Sequence, residues 1–209
     1  MIDGRIQRGE RTRRTVLDAA VRLASVEGLD GLSLARLTAT LGVSKSGLFT
    51  HWSDKQSLQL AIVEHARKQW TEQIVEPALR GPRGVRRLWT LHERRIDFYR
   101  AGHLPGGCFF GTVDGEFDDR PGPVHDAVAD AVGSWMNLLT RLSELAIELG
   151  ELRPGTDPAQ LAFEIEALGS VVVVHTHLLK REHSYRFART AVLERLRSLS
   201  TDPGVLPET

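Results

Sequence analysis

The chain of 209 residues has a single cysteine, Cys108, and that scarcity removes two ways of building a fold. No intrachain disulfide framework can form, and no cysteine-based structural zinc site can be assembled. Apolar runs of about 18 residues are absent, so the sequence offers no segment suited to crossing a membrane as a helix. The first residues, with Asp3, Arg5, Arg8, Glu10 and Arg11, lack the apolar stretch of a signal peptide, and a cytoplasmic location is expected. Excess charge of either sign is missing as well: 27 basic residues meet 27 acidic ones. Catalytic signatures are also wanting. There is no G-x-S-x-G, no P-loop, and no G-x-G-x-x-G after a strand pattern, so an enzyme is not expected. His175 and His177 stand two apart, which puts them on different faces of a helix, so no metal site and no cofactor are expected.

What is present is helical patterning from end to end, and an all-α fold is expected. Val16, Leu17, Ala20, Val21 and Ala24 share one helical face between Arg11 and Val26, and Gly28 suits the end of that helix. Ser33 can cap a short second helix carrying Leu34, Leu37 and Leu41, and Ser44 a third running through His51. Ser53 with Gln56 reads as a capping box opening a longer helix to about Val75, before Pro77. Another helix is expected over 85–100 and a short one around 108–117. From Val124 to Leu149 apolar residues recur at alternating spacings of four and three. The same spacing returns in Leu161, Ile165, Leu168, Val172, His175 and Leu179, after an Asp157-Pro158 start signal. A last helix is expected from Ser184 to about Leu199, and a loose tail from Ser200. Gly102–Gly107 and Pro121–Pro123 read as a hinge or as ordinary loops.

Charge is neutral overall but not evenly spread. Residues 1–60 hold nine Lys/Arg against six Asp/Glu, so a mildly basic N-terminal part precedes a mildly acidic body. Within that part, two short helices joined by a turn at Gly42 form a helix-turn-helix pattern. Leu34 and Leu37 face inward on the first helix, and Val43 and Leu48 anchor the second. Lys45, Ser46, Thr50 and His51 are left to point outward. A B-DNA major groove admits one helix, whose N-terminal end reaches the base edges, and small polar side chains with one lysine fit that task. Arg5, Arg8, Arg11, Arg13 and Arg14 are either an arm on the phosphate backbone or a solvated tail.

The stretch from Thr12 to Trp70 resembles the DNA-binding domain of TetR-family transcriptional regulators. The likeness rests on Ala19, Ala20, Leu23 and Gly28 of the first helix, on LGVSKSGLFTHW in the turn and recognition helix, and on Lys55 and Leu58. It implies phosphate contacts from Ser33, Arg36, Thr50, His51 and Lys55, and base contacts from Lys45, Ser46 and Thr50, with Ser44 at the start of the recognition helix. One departure is Phe49, where the family commonly has a tyrosine whose hydroxyl can bond a phosphate. The body resembles the family in layout, with a weaker likeness in GGCFFGTVDGEFDDRPGPV.

The expected architecture is therefore an N-terminal three-helix helix-turn-helix DNA-binding domain over residues 1–55, then a larger helical ligand-binding and dimerisation domain over 56–209. A recognition helix alone reads few base pairs, so a homodimer on double-stranded palindromic DNA is expected, with the last two helices pairing as a four-helix bundle. Leu161, Ile165, Leu168, Val172, His175, Leu179, Val192 and Leu196 are the expected interface residues. Aromatics of the body (Trp70, Trp89, Phe98, Phe109, Phe110, Trp135, Phe163) suit a pocket for a small, largely apolar effector, with His92, Asp114 and Glu166 as its polar groups. The expected function is a regulator, usually a repressor, released from a palindromic operator by that effector. The alternatives are an effector-independent DNA-binding protein, or a helical small-molecule-binding protein with a vestigial helix-turn-helix.

Overall fold

The computed structural model describes residues 4–208, and among them the side chains other than those of residues 5, 6, 8, 45 and 49. Regular structure among the described residues is helical, and the only strand-like pairing is an isolated bridge between Leu152 and Ser200. The chain divides into two compact units that are not consecutive stretches. The first holds Met1–Gln69 and Leu104–Asp130, the second Trp70–His103 and Ala131–Thr209.

In the first unit, α1 (Gly4–Glu27) begins well before the expected Arg11, so Arg11, Arg13 and Arg14 sit exposed on a helix and not on a loose arm. The side chains of Arg5 and Arg8 lie outside the described ones. The face of Val16, Leu17, Ala20, Val21 and Ala24 is buried as its spacing requires. Gly28 ends the helix at φ +78, and Leu29 and Leu32 are buried in the connection that follows. α2 (Leu34–Leu41) is capped by Ser33, whose hydroxyl accepts the Arg36 N–H at 3.3 Å. Gly42, at φ +65, turns the chain in a left-handed conformation that a Cβ would strain. α3 (Lys45–Phe49) is a single short turn and a half, and α4 (Lys55–Trp70) follows. The box expected from Ser53 and Gln56 is made one residue later. Asp54 accepts the Ser57 N–H at 2.7 Å, and the Ser57 hydroxyl accepts the Asp54 N–H at 3.2 Å.

The first unit also takes α7 (Phe110–Phe117), which packs on α1. The contact is built from backbone. The Thr112 hydroxyl donates to the Ser25 carbonyl at 2.9 Å, and the Gly106 N–H donates to the Ser25 hydroxyl at 3.1 Å. The Glu116 carboxylate accepts the N–H groups of Leu29 (2.6 Å) and Asp30 (3.0 Å), just past the end of α1. A Cβ on Gly28 would stand 2.7 Å from that carboxylate.

In the second unit, a π-helical stretch (Thr71–Val75) and α5 (Glu76–Leu79) continue the chain past Pro77, where an end was expected. Widening the turn ahead of Pro77 accommodates a residue with no N–H to give. α6 (Val85–Arg100) starts at Gly84, and the Glu151 carboxylate accepts the Val85 N–H at 2.7 Å. α9 (Pro158–His177) and α10 (Ser184–Leu199) pack on each other and on α6. Arg189 of α10 pairs with Glu93 (2.8 Å) and Asp97 (2.5 Å) of α6, and Arg195 with Glu164 of α9 (2.5 Å). The expected loose tail is in fact packed: Leu206 is buried, and the Val205 carbonyl accepts Arg86 Nε at 2.6 Å.

α8 (Pro123–Glu148) corrects the expected stripe. Val124, Val128 and Ala131 are buried, but from there the buried line runs through Leu139, Leu142, Ser143 and Ala146, leaving Leu149 exposed. A strict four-three alternation averages 3.5 residues per turn. A straight helix of 3.6 drifts off it by about 20° per heptad, so the late members of the stripe leave the core.

Candidate nucleic-acid interface and effector site

The helix-turn-helix presents polar side chains over a buried apolar base. Leu37 and Leu48 are at 1% exposure or less, while Ser33, Arg36, Ser44, Ser46, Thr50 and Lys55 are exposed and His51 is half-buried. Several of these groups are already at work inside the fold. The Ser44 hydroxyl accepts the Gly47 N–H at 3.0 Å and lies 3.1 Å from the Ser46 hydroxyl. Gly47 lets that cap close, since a Cβ there would come within 3.2 Å of Ser44 Oγ. The Thr50 hydroxyl donates to the Gly47 carbonyl at 2.6 Å. His51 packs edge-on against the buried Trp52, over which the Arg13 guanidinium lies 5.6 Å from the ring centre. The expected base reader Lys45 stands at the first position of α3, and Phe49 at its last; their side chains lie outside the described ones.

The two expected phosphate-binding cations have acidic partners that the sequence did not signal. Arg36 pairs with Glu27, and Lys55 Nζ donates to the Asp30 carbonyl (2.8 Å) and carboxylate (3.1 Å). Arg120 meets the other oxygen of Asp30 at 3.0 Å. Lys55, and then Arg120, hold the Asp30 carboxyl below its ordinary range. Lys55, Asp30 and Arg120 are exposed, so their pairings are screened and exchangeable, and a DNA phosphate can replace the Asp30 carboxylate at small cost, whereas Glu27, the partner of exposed Arg36, is half-buried.

The second unit encloses a denser arrangement. Arg95 of α6 is 3% exposed, and its guanidinium donates from Nη1 and Nη2 to the two oxygens of Glu166 on α9, at 2.8 and 2.9 Å. Nε donates to the Tyr99 hydroxyl at 2.8 Å, and Nη2 also to Ser170 at 2.9 Å. Glu166 accepts further bonds from Ser170 and from Trp135 Nε1 (2.5 Å). The guanidinium sits 5.6–5.8 Å from the ring centres of Trp70, Tyr99 and Trp135. It fits because residue 169 is glycine, where a Cβ would lie 2.3 Å from Nη1. Burial alone would push the Glu166 carboxyl up, but Arg95, Ser170 and Trp135 outweigh it, and the net shift is downward. Arg95 is held charged in the same way: burial disfavours the cation, and Tyr99 and Glu166 more than offset this. Nearby His92 is buried at 1% exposure. Burial, aided by the Arg95 charge, pushes it down to about 3, so it is neutral.

Of the expected pocket residues, the structure brings Trp135 and Glu166 together, with Phe98 in the same aromatic group through Trp70 and Tyr99. His92 lies against Trp89. Phe110 and Asp114 belong to the first unit, on α7, and are not part of this cluster. Phe163 is 61% exposed and lines no interior. Arg95 was missed because it stands in a Glu-Arg-Arg run that reads as a solvated face. The available signal was a pair of one-turn spacings, Arg95 to Tyr99 and Glu166 to Ser170.

The expected interface residues also need correction. Leu161, Ile165, Val172, Val192 and Leu196 are at most 1% exposed within one chain, so they hold α9 and α10 to the chain's own core. Leu168 and His175 are half-buried, and Leu179 is 44% exposed. The apolar side chains left open are Phe163, Val171, Val174 and Leu178 of α9 and its end, with Phe187 of α10. Among the described residues no group of acidic, histidine and cysteine side chains suits a metal ion, and no helix is long and apolar enough to cross a membrane.

Two family models match the chain. Residues 16–62 match "Bacterial regulatory proteins, tetR family", and residues 84–192 match "Tetracyclin repressor-like, C-terminal domain". The second match alone spans more than half of the sequence. The chain belongs to the TetR family of transcriptional regulators. It is 33% identical over 67 residues to the HTH-type transcriptional repressor AcnR of Corynebacterium diphtheriae, a match covering 32% of this chain and 35% of that one. The matched span is thus about a third of that repressor's length. A TetR transcriptional regulator from Chloroflexus aurantiacus superposes with a TM-score of 0.85 at 24% identity, over 93% of this chain and 98% of that one. The structure of AibR in complex with isovaleryl coenzyme A and operator DNA gives a TM-score of 0.70 at 21% identity, over 86% and 95%. These likenesses show that the TetR fold extends over nearly the whole chain, and its N-terminal helix-turn-helix is the DNA-binding element of the family.

Proposed function

We propose that this TetR-family regulator is a repressor that binds a palindromic operator as a homodimer and leaves it when a small molecule binds the second unit. The observation that carries the reading is the helix-turn-helix itself, in which Ser44, Ser46 and Thr50 stand exposed around a recognition helix anchored by a fully buried Leu48. Ser33, Arg36, His51 and Lys55 supply phosphate contacts, and Lys45, Ser46 and Thr50 read bases. In this reading the DNA-contacting residues lie within the expected 1–55 part, and the sensing and pairing residues lie within the expected 56–209 part, in the second unit. The exposed apolar side chains of α9 and α10 support dimerisation through those helices, since an open set of this kind marks an interaction face. AibR, solved with an acyl coenzyme A and operator DNA, is a fold relative that carries both kinds of ligand. No chemistry beyond binding is needed, and the protein works in the cytoplasm, where the DNA is.

Selection of genomic fragments by the purified protein at about 150 mM salt, followed by footprinting, tests the reading. One enriched inverted repeat, protected symmetrically, is expected. Diffuse retention that vanishes with salt contradicts it.

A further inference from the structure

The Arg95–Glu166 cluster is costly to build. Taking two charges out of water is unfavourable, and an apolar pair of similar volume would serve stability as well or better. Its donors also converge in a particular way. An arginine fork, an indole N–H and a hydroxyl all aim at one carboxylate, the set that recognises a carboxylate from outside. The carboxylate now seated there is the chain's own. The two partners are unequally held: the Arg95 side chain is 4% exposed, that of Glu166 27%. Arg95 is also locked by Tyr99 and by the notch at Gly169, while no comparable notch holds the more exposed Glu166. A buried donor stands unused beside them. Trp70 Nε1 has no acceptor, although its ring packs on Arg95 and edge-on to Trp135 at 5.3 Å.

We infer that this cluster is a carboxylate-binding site held shut by Glu166, and that the molecule sensed is a carboxylic acid with an apolar tail. Its carboxylate takes the place of Glu166 on Arg95, Trp135 and Ser170, Trp70 Nε1 supplies a further donor, and the aromatic rings cover the tail. Displaced Glu166 turns to solvent, and α9 loses its ion pair to α6. This rests on the proposed reading of the second unit as the sensing body. A cationic ligand would have to evict Arg95 from between the three rings, breaking all its bonds. An anion needs to move only the more exposed partner.

The test is direct binding to the full-length protein, read by tryptophan fluorescence and melting temperature. Butyrate, hexanoate, octanoate and phenylacetate are compared with their amides and amines. Carboxylates are expected to bind, and amides and amines to fail. Glu166→Gln removes the competing carboxylate and should tighten carboxylate binding on the order of tenfold. A purely structural ion pair would lose melting temperature on that change with no gain in affinity. Trp70→Phe deletes a donor the chain itself does not use, and should weaken carboxylates alone. Three results overturn the inference: no carboxylate binding, amines binding in preference, or binding only to Glu166→Gln. DNA binding measured alongside keeps the two readings apart, because loss of sequence-specific retention counts against the proposed function and not against this site.

Discussion

The charged groups of the two units live under opposite rules. In the first unit Lys55, Asp30 and Arg120 are exposed, paired in water and cheap to rearrange. In the second, the Arg95 guanidinium is surrounded by three aromatic rings and is tied by hydrogen bonds to the half-buried Glu166. An exposed pair contributes about 0–1 kcal/mol, whereas removing one partner of a buried pair costs about 3–5 kcal/mol. Under the proposed function, the first kind suits a surface that takes up and releases a phosphate backbone, and the second suits a site that answers to one ligand.

That contrast predicts a graded series of effects. Glu166→Leu leaves the buried Arg95 without its counter-charge, and urea unfolding should show a loss of about 3–5 kcal/mol. A loss below about 1 kcal/mol would put this pair in the same class as Lys55–Asp30. Next in size is an acid effect. His92 is neutral in the folded protein down to about pH 3, while the unfolded side chain takes its proton near 6.5. A depressed folded value means that stability is intact above 6.5 and is lost as pH falls toward 3. At about 1.4 kcal/mol per pH unit, His92 should cost about 2 kcal/mol at pH 5. His92→Leu should flatten the stability profile over that window, and an unchanged slope would place the acid sensitivity elsewhere. Glu166 has the same sign, its folded carboxyl being lowered, but acts only at the acid end of the range.

Gly169→Ala tests the fit of the guanidinium. Alanine is worth about 1 kcal/mol over glycine within a helix. Here its Cβ would meet Arg95 Nη1 at 2.3 Å, so a net loss of about 1–2 kcal/mol is expected. A gain in melting temperature would show that the guanidinium can move aside. Smallest is Lys55→Ala, which should alter stability by less than about 1 kcal/mol while lowering the salt dependence of DNA binding by about one unit per subunit.

The reading head was legible in the sequence because its signals are local. Ser33 and Ser44 cap helices, Gly42 takes a left-handed turn, and Leu37 and Leu48 are buried where their spacing puts them. The buried cluster was half legible. Trp135 and Glu166 were expected as site residues, but Arg95 reaches Glu166 across 71 positions, and the one-turn spacings to Tyr99 and Ser170 mark each half without saying that the halves meet. Both sides of α9 are apolar, so the stripe of Leu161, Ile165 and Val172 did not reveal which side is core and which is left open through Phe163, Val171 and Val174. Pairing of Lys55 with Asp30 and of Glu116 with the N–H groups of Leu29 and Asp30 likewise depends on tertiary approach.

The central claim is that an exposed recognition helix reads sequence while the cations around it only grip the backbone. The most direct measurement is the affinity of Lys45→Ala and of Lys55→Ala for the selected operator and for its single-base variants. The account predicts that Lys45→Ala weakens binding and blurs the preference at the bases it reads, by about 1–3 kcal/mol of lost discrimination. Lys55→Ala should weaken every sequence by a similar factor. Identical base preferences in the two variants would contradict it.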